Sequence, residues 1–343
     1  MNLIIVFILY LLLIFFLNFF FLKKNFLIDR KQLVHKSFIS KEMVPITGGF
    51  LIIANLLLFN NNYLENFFFG LIFTLGICSD LLIIKDPVKK LLIQFLIVFI
   101  FLLTINTYIL STKILFIDFF IKNKIFAIFF TTFCLLILIN GSNFLDGVNT
   151  LVCGYYILIV LVILYIGHEN RINYDFIKFY YLLISLLIIF LFNFFSKTYL
   201  GDSGTFLLSF FIGYQLINLS NVSVIIENYI SPLYIMLLLW YPAFENLFSI
   251  IRKTLTKKKP SQSDNIHLHH LLFSYLKVRI KNIKIINSLT GIIINFYNLL
   301  IFIISIEYYY NNRFLIILVL INICNYTICY LFLLRSNSLL KKN

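Results

Sequence analysis

Residues 2–22 read NLIIVFILYLLLIFFLNFFFL, and this apolar run decides the class of the fold. A helix of about 20 residues, rising about 1.5 Å per residue, is long enough to cross the roughly 30 Å hydrocarbon core of a bilayer. The run has neither the basic start nor the small-residue cleavage site of a signal peptide. We therefore expect it to be retained as the first membrane span.

The rest of the chain has the same character. Of its 343 residues 61% are hydrophobic and 12% are charged, and the mean hydropathy is +0.98, a balance that soluble domains of this length do not have. The apolar runs predict an all-α integral membrane protein, a polytopic bundle of about eleven transmembrane helices that forms a single membrane domain over residues 1–343. The predicted spans lie near residues 2–22, 46–60, 66–84, 89–109, 124–140, 151–167, 178–195, 204–220, 230–251, 286–306 and 313–334.

Lysine and arginine predict the orientation of these spans. With spans placed this way, 22 of the 28 basic residues fall on one side and 6 on the other. The positive-inside rule puts the larger number in the cytoplasm, with the N-terminus outside and the C-terminus cytoplasmic. The net charge of +14 then indicates loops that face anionic membrane lipid, and we expect no nucleic-acid partner. The predicted cytoplasmic loops lie near residues 23–45, 85–90, 141–150, 196–203 and 252–285.

The five cysteines have no metal-ligand spacing and are interpreted as small core residues.

Carboxylates at span ends are candidate functional groups, because they are costly at membrane depth. Asp80 ends the third span near Lys90, although a helix-end carboxylate paired with lysine would look the same. Asp146 lies in a break rich in Asn, Asp and Gly, which an ordinary turn would also produce. Asp202 precedes the eighth span in a Gly-Asp-Ser-Gly sequence, where it could cap the helix while the helix start binds a phosphate. All three fall on the predicted cytoplasmic side.

His267, His269 and His270 fall within four residues of a chain that has only five histidines. A solvated polar loop is the ordinary alternative. Carboxylates favour Mg²⁺ or Mn²⁺ and clustered histidines could bind Zn²⁺, but no Cys/His pairing supports a structural zinc site. We expect these histidines to donate hydrogen bonds to phosphate. Acidic side chains, cations and a membrane face together indicate metal-dependent chemistry on a diphosphate with a lipidic substrate.

In order and spacing these motifs resemble the bacterial polyprenyl-phosphate N-acetylhexosamine-1-phosphate transferases, glycosyltransferases of family 4 type, over residues 35–270. The His-x-His-His form is closer to the undecaprenyl-phosphate GlcNAc-1-phosphate transferase-like branch, which uses simple UDP-HexNAc donors. The matching segments are His35-Lys36 with Pro45–Gly49, Gly76–Asp80 with Lys90 and Gln94, Asn143–Leu151, Asn193 with Leu200–Thr205, Tyr241–Glu245, Arg252, and Asp264–His270.

The resemblance implies that polyprenyl phosphate attacks the β-phosphorus of a UDP-N-acetylhexosamine and releases UMP. The product would start a lipid-linked cell-surface glycan at the bacterial inner membrane, with the active site facing the cytoplasm. Catalytic roles are implied for Asp80, Asp146 and Lys90, and Mg²⁺ (with Mn²⁺ as the alternative) would be bound by Asp146, Asp80 and Asp202. Substrate contacts are implied for Lys36, Asn143, Asn149, Asn193, Arg252, His267, His269 and His270.

Two positions depart from the family pattern. Ser79 stands where the family has the first Asp of a pair, and Asn149-Thr150 stands where many relatives have Asp-Gly. A general-base role for that first Asp cannot be carried over, but a phosphomonoester with a second pKa of about 6 is mostly dianionic at pH 7 and needs no base.

Three questions stay open at the level of the sequence. Ser79 motivates one alternative, a family member that has lost catalysis and still binds polyprenyl phosphate. An ion-coupled membrane transporter is the alternative from another class, although carboxylates at span ends rather than at the midplane argue against it. A homodimer is left open, because lipid-facing and partner-facing apolar surfaces look alike in sequence.

Overall fold

The computed structural model describes residues 3–29, 43–169, 174–225, 230–258 and 264–340. Most of them lie in helices, which confirms the predicted all-α membrane class, and a short antiparallel ribbon of two strands accompanies the helices. In chain order the elements are α1 (Leu3–Lys24), β1 (Ile28–Asp29), β2 (Val44–Pro45), α2 (Gly48–Phe59), α3 (Tyr63–Asp80), α4 (Pro87–Ile105), α5 (Leu115–Ile121), α6 (Lys124–Leu145), α7 (Leu151–Glu169), α8 (Ile177–Phe194), α9 (Gly201–Ile225), α10 (Pro232–Leu238), α11 (Trp240–Leu255), α12 (Leu268–Lys277), α13 (Ile283–Ser305) and α14 (Asn312–Leu340).

Each predicted span coincides with a helix or, in one case, with a bent pair of helices. Within the described ranges, eight helices are long and apolar enough to cross a membrane, or nine if the bent pair counts as one span. The 12 residues of α2 rise only about 18 Å, and α3 carries Glu65 and Asp80 near its two ends. The count of about eleven spans and the side on which each helix end lies therefore stay predictions.

Helix α9 occupies the centre of the bundle. It packs against α2, α3 and α6, while α7 packs against α8 and α13. Phe206, Phe210 and Phe211 of α9 are completely buried, whereas α1 and α14 lie at the periphery with much of their apolar surface exposed, as lipid-facing helices do. The central position of α9 puts its first turn in the middle of one end of the bundle.

The predicted motif segments meet at that end, which we call the site end. Asp80 at the end of α3 contacts the start of α9, and Ser288 on α13 donates a hydrogen bond to the carbonyl of Phe194 at the end of α8 (2.7 Å). At the opposite end, Tyr214 on α9 donates to Glu65 on α3 (2.7 Å). Because the long helices run alternately up and down, the loops predicted to be cytoplasmic gather at the site end wherever they are described.

A sharp bend interrupts the span predicted at 230–251. Helices α10 and α11 meet at 71° around Leu239. Pro242 has no backbone N–H to donate to the carbonyl of Leu238, and its ring would clash with that carbonyl in a continuous helix, which explains the break. The predicted loop 252–285 likewise contains a helix, α12, which carries two of the candidate histidines into the bundle.

Candidate active site

The first group of candidate residues lies where α3 and α4 meet the start of α9. We call Ser79, Asp80, Lys90 and Asp202 the carboxylate–lysine cluster. Lys90 Nζ lies 3.0 Å from Asp202 Oδ2, with the two side chains 20% and 22% exposed. Ser79 Oγ donates a short hydrogen bond to the same carboxylate oxygen. A cation and a hydroxyl thus hold the Asp202 carboxylate at a position that solvent and ligands can still reach.

Asp80 uses both of its carboxylate oxygens on the first turn of α9. Its Oδ1 accepts a hydrogen bond from the backbone N–H of Asp202 (2.8 Å), and its Oδ2 accepts one from that of Ser203 (3.0 Å). Amides at a helix start have no partner inside the helix, and they carry the positive end of the helix dipole. Asp80 therefore caps α9 from a neighbouring helix and fixes the backbone that carries Asp202.

Glycines allow the helices to approach this turn. A Cβ on Gly76 would lie 2.3 Å from Ser203 Cα, and a Cβ on Gly201 would lie 2.3 Å from Ile46 Cγ2. Gly201 also has a φ of +72°, which L side chains rarely adopt. The Gly-Asp-Ser-Gly sequence is thus needed for the shape of the helix start as well as for its carboxylate.

The second group lies on α11, on α12 and just before α12. We call Glu245, Asp264, His267, His269 and His270 the histidine cluster. The Glu245 side chain is 1% exposed, and its Oε1 lies 2.9 Å from His267 Nδ1. The ring centroids of His269 and His270 are 4.2 Å apart, and the His267 ring stacks on His269 at 5.6 Å. All three histidines are buried, so the alternative of a solvated polar loop is wrong.

Arg252 forms a bidentate ion pair with Asp264. Its Nη1 lies 2.7 Å from Asp264 Oδ2, and its Nη2 lies 3.0 Å from Asp264 Oδ1. Burial raises the pKa of Asp264, but the hydrogen bonds and charge of the guanidinium outweigh burial and hold this pKa below its ordinary value. Arg252, expected to contact substrate, thus uses its planar fork to fix the segment that leads to His267.

Asp146 lies at the C-terminal end of α6, where it is half-buried, and Asn143 is half-buried in the last turn of the same helix. The next residue, Gly147, faces the histidines: a Cβ there would lie 2.6 Å from His269 Nε2 and 2.8 Å from His270 Cε1. The glycine therefore lets α12 lie directly against the loop that carries Asp146.

Helices α4 and α6 connect the two clusters. Asn140 Nδ2 on α6 donates a hydrogen bond to Gln94 Oε1 on α4 (3.0 Å). Lys90 lies about one turn from Gln94 towards the site end, and Asp146 lies about two turns from Asn140 in the same direction. Lys90 of the first cluster and Asp146 beside the second therefore border the same part of the site end.

Asn149 and Asn193, both expected to bind substrate, are buried and brace two loops. Asn149 Nδ2 donates to Ser196 Oγ (2.8 Å). Asn193 accepts a hydrogen bond from Thr150 N (2.6 Å) and donates one to the carbonyl of Thr198 (2.9 Å). These bonds hold the loop after α6 against the loop after α8, and a direct contact of either side chain with substrate stays a prediction.

Tyr326 on α14 belongs to the site, although the sequence motifs did not indicate it. Its hydroxyl donates to Glu245 Oε2 (2.6 Å), so Glu245 is held between Tyr326 and His267. A signal was present in the sequence: Asn322, Tyr326 and Tyr330 recur every four residues in an apolar span, and all three are buried. Polar groups repeated on one face of a lipid-exposed helix indicate that this face has partners inside the protein.

The carboxylates do not form a ready-made metal site. In the described part of the chain, no three His, Cys, Asp or Glu side chains are grouped so that they could hold a metal ion. Mg²⁺, however, commonly takes only one or two carboxylates together with waters and substrate phosphates, and the partly exposed Asp146 and Asp202 are oxygen donors of that kind. Metal-binding and catalytic roles for these residues and for Asp80 stay predictions. Lys36 lies outside the described residues.

Comparison with known proteins gives three matches. A sequence model described as Glycosyl transferase family 4 matches residues 66–220, a range that includes the carboxylate–lysine cluster and Asp146 and ends before the histidine cluster. A probable undecaprenyl-phosphate N-acetylglucosaminyl 1-phosphate transferase of Bacillus subtilis is 30% identical over 147 residues, which are 40% of this chain and 37% of that relative. An undecaprenyl-phosphate alpha-N-acetylglucosaminyl 1-phosphate transferase of Thermotoga maritima is 27% identical over 230 residues, 66% of this chain and 67% of that relative.

Proposed function

Because this chain belongs to glycosyl transferase family 4, we propose that it transfers an N-acetylhexosamine 1-phosphate from a UDP-N-acetylhexosamine to a polyprenyl phosphate. The observation that carries the proposal is the meeting of the carboxylate–lysine cluster, Asp146 and the histidine cluster at one end of a membrane bundle. A lipid acceptor and a water-soluble diphosphate donor can both reach such a site. The names of the two relatives support N-acetylglucosamine as the sugar and undecaprenyl phosphate as the acceptor.

In the proposed reaction an oxygen of the lipid phosphate attacks the β-phosphorus of the donor. A new P–O bond forms, the bond from the β-phosphorus to the bridging oxygen breaks, and UMP leaves with that oxygen. The bond between the sugar C1 and its oxygen is kept, so the anomeric configuration is retained. The acceptor is mostly dianionic at pH 7, and the protein therefore has to supply positioning and charge compensation rather than a base.

Lys90 is the side chain best suited to charge compensation. Its side chain is 20% exposed, its ammonium is held by Asp202, and the centroid of the Phe206 ring lies 5.8 Å from that ammonium. An ammonium has three donors, so the bond to Asp202 leaves donors for a phosphate oxygen. We propose that Asp202 orients Lys90 and that Asp80, by capping α9, positions Asp202.

Asp146 and Asp202 would hold Mg²⁺, or Mn²⁺, together with the diphosphate oxygens. When bound, the ion would offset negative charge on the diphosphate as UMP departs. Asn143, next to Asp146 in the last turn of α6, is half-buried and available to hydrogen bond the donor. Lys36 is proposed to add a cation to the same site.

The histidine cluster would bind the donor on the side of the site away from the carboxylate–lysine cluster. The Glu245 carboxylate lies 2.9 Å from His267 Nδ1 and so orients the ring, whose Nε2 lies 3.6 Å from Asp264 Oδ1. His269 and His270 lie against Gly147, next to the proposed metal ligand Asp146. We therefore propose contacts between the histidines and the donor phosphates or sugar.

Ser79 does not argue for an inactive protein. Its hydroxyl donates to the carboxylate oxygen of Asp202 that also pairs with Lys90, so the position keeps a link to the cluster without a second negative charge. This supports the active enzyme over a family member that only binds lipid. The split of basic residues supports a site that faces the cytoplasm of the bacterial inner membrane, where UDP-sugars are made.

The test is UMP release by the purified protein in detergent, with undecaprenyl phosphate, Mg²⁺ and a panel of UDP-sugars. We expect UMP with one N-acetylhexosamine donor and none after EDTA treatment, and activity should return when Mg²⁺ is restored. Glu307→Gln serves as the control, because Glu307 is an exposed carboxylate beyond the opposite end of α13. If folded, membrane-inserted protein releases no UMP with any donor, the proposed activity is wrong.

A further inference from the structure

The turn between α12 and α13 carries a second feature of the site end. Residues 277–285 read KVRIKNIKI, in which basic and apolar side chains largely alternate. Lys277, Arg279, Lys281 and Lys284 are all exposed, and so is Arg335 on α14. We call these five residues the basic rim. No acidic residue occurs between residues 265 and 306 or between residues 308 and 343, so the sequence of this region is basic.

The position of the rim is fixed by α13. This helix is one of the candidate membrane spans and begins at Ile283, where Asn282 caps it by accepting hydrogen bonds from the amides of Lys284 (3.1 Å) and Ile285 (3.3 Å). The rim therefore lies where a span leaves the bilayer. Val278 is 63% exposed and Ile285 is 55% exposed, so apolar side chains stand between the cations.

Aromatic side chains order part of the rim. The Arg279 guanidinium lies 3.8 Å from the centroid of the Tyr275 ring, and Tyr275 makes an edge contact with Phe332 on α14 at 6.2 Å. Arg335 follows Phe332 by one turn. When a guanidinium stacks on a ring through its face, the N–H groups along its edge stay available to bind a phosphate. Because stacking already orders the arginine side chain, less side-chain entropy is lost when the phosphate binds.

We propose that the basic rim is a docking surface for the head groups of anionic phospholipids in the leaflet at the site end. Cations at the level of the head groups and apolar side chains at the level of the first methylenes match the two layers of such a lipid. The surface is distinct from the catalytic groups: Lys277 follows His269 by eight residues, about 12 Å along α12. A lipid bound there would hold the C-terminal end of the helix whose first turn carries His269 and His270.

The test measures lipid binding and does not depend on the proposed activity. Delipidated protein in detergent is titrated with phosphatidylglycerol or phosphatidylcholine, and bound lipid is counted by native mass spectrometry. The variant is the triple change Lys277→Gln, Arg279→Gln and Lys281→Gln. The matched control is Lys113→Gln, Lys122→Gln and Lys124→Gln, which removes the same charge from exposed positions at the opposite end.

We expect the native protein to prefer phosphatidylglycerol and the rim variant to lose about fivefold in affinity for each cation removed, or about 100-fold in all. The control should keep the native preference. Arg279→Lys, which keeps the charge without the planar stack, should stay within about tenfold of the native protein and so separates binding from misfolding.

Three results would overturn the proposal. In the first, the rim variant keeps the native preference for phosphatidylglycerol. In the second, the control loses as much affinity as the rim variant. In the third, inorganic phosphate or a UDP-sugar at millimolar concentration displaces the lipid, which would make the rim a site for soluble anions.

Discussion

The first turn of α9 depends on the carboxylate of Asp80, and Asp80→Asn measures that dependence. An asparagine keeps one acceptor oxygen for the amide of Asp202 or Ser203 and turns an NH₂ group towards the other. One charge-assisted hydrogen bond of ~1.5–3 kcal/mol is lost. We therefore expect local opening of this turn to become easier by about 1.5–3 kcal/mol, which corresponds to about 10- to 140-fold.

Hydrogen–deuterium exchange of peptides that cover the start of α9 measures this opening directly. Asp86→Asn is the control, because Asp86 caps α4 at the same end through an exposed side chain and asparagine caps a helix about as well as aspartate. The control should leave exchange at α9 unchanged. If Asp80→Asn also leaves it unchanged and alters only the Mg²⁺ dependence of UMP release, Asp80 is a metal ligand and the capping role is refuted.

Three further changes test other parts of the site. Asp146→Asn should lower UMP release ~100-fold or more while the protein still folds and inserts, and full activity would remove Asp146 from the proposed metal site. Tyr326→Phe removes a hydrogen bond of ~1.5–3 kcal/mol from the buried Glu245 carboxylate. The thermal unfolding midpoint of the Tyr326→Phe variant should therefore lie well below that of the control variant Tyr330→Phe. The folded-state pKa of Asp264 is depressed, so its arginine pair stabilises the protein above about pH 4 and this stability is lost as the pH falls through that pKa. Unfolding midpoints of the native protein and Asp264→Asn should therefore differ at pH 7 and converge as the pH falls below about 4, and a constant difference would contradict this role.

Local signals in the sequence predicted the helices well. A run such as residues 2–22 has to become a helix in lipid, because in no other conformation can a single segment form hydrogen bonds to all its own backbone N–H and C=O groups. The bend at Leu239 could have been anticipated from Pro242, but the apolar run continues through it, and hydrophobicity alone does not distinguish a broken span from a straight one. The gathering of the motif loops at one end followed from the alternation of span directions.

The use of individual polar residues was harder to predict. For Asp80, the sequence predicted a metal ligand or a partner of lysine, and it did not predict the hydrogen bonds from backbone amides 122 and 123 positions away, which no local pattern reports. The motif residue Asn193 is likewise buried as a brace between loops. Motif spacing identifies which side chains gather, whereas their roles depend on the geometry of contacts between distant segments.

The glycines around the start of α9 have a consequence for how the protein can respond to a ligand. A Cβ on Gly49 would lie 2.7 Å from the amide nitrogen of Gly204, and one on Gly76 would lie 2.3 Å from Ser203 Cα, so three helices meet here almost backbone to backbone. Such contacts leave no side-chain rotamers with which to absorb a displacement. We expect this half of the site to act as a fixed support. Helix α12 is ten residues long, and the carbonyl of its Leu271 accepts a hydrogen bond from the Asn337 side chain of α14 (2.9 Å), so we expect α12 to make the adjustments. A bound donor should then slow hydrogen exchange along α12 and leave the exchange rate at the start of α9 unchanged.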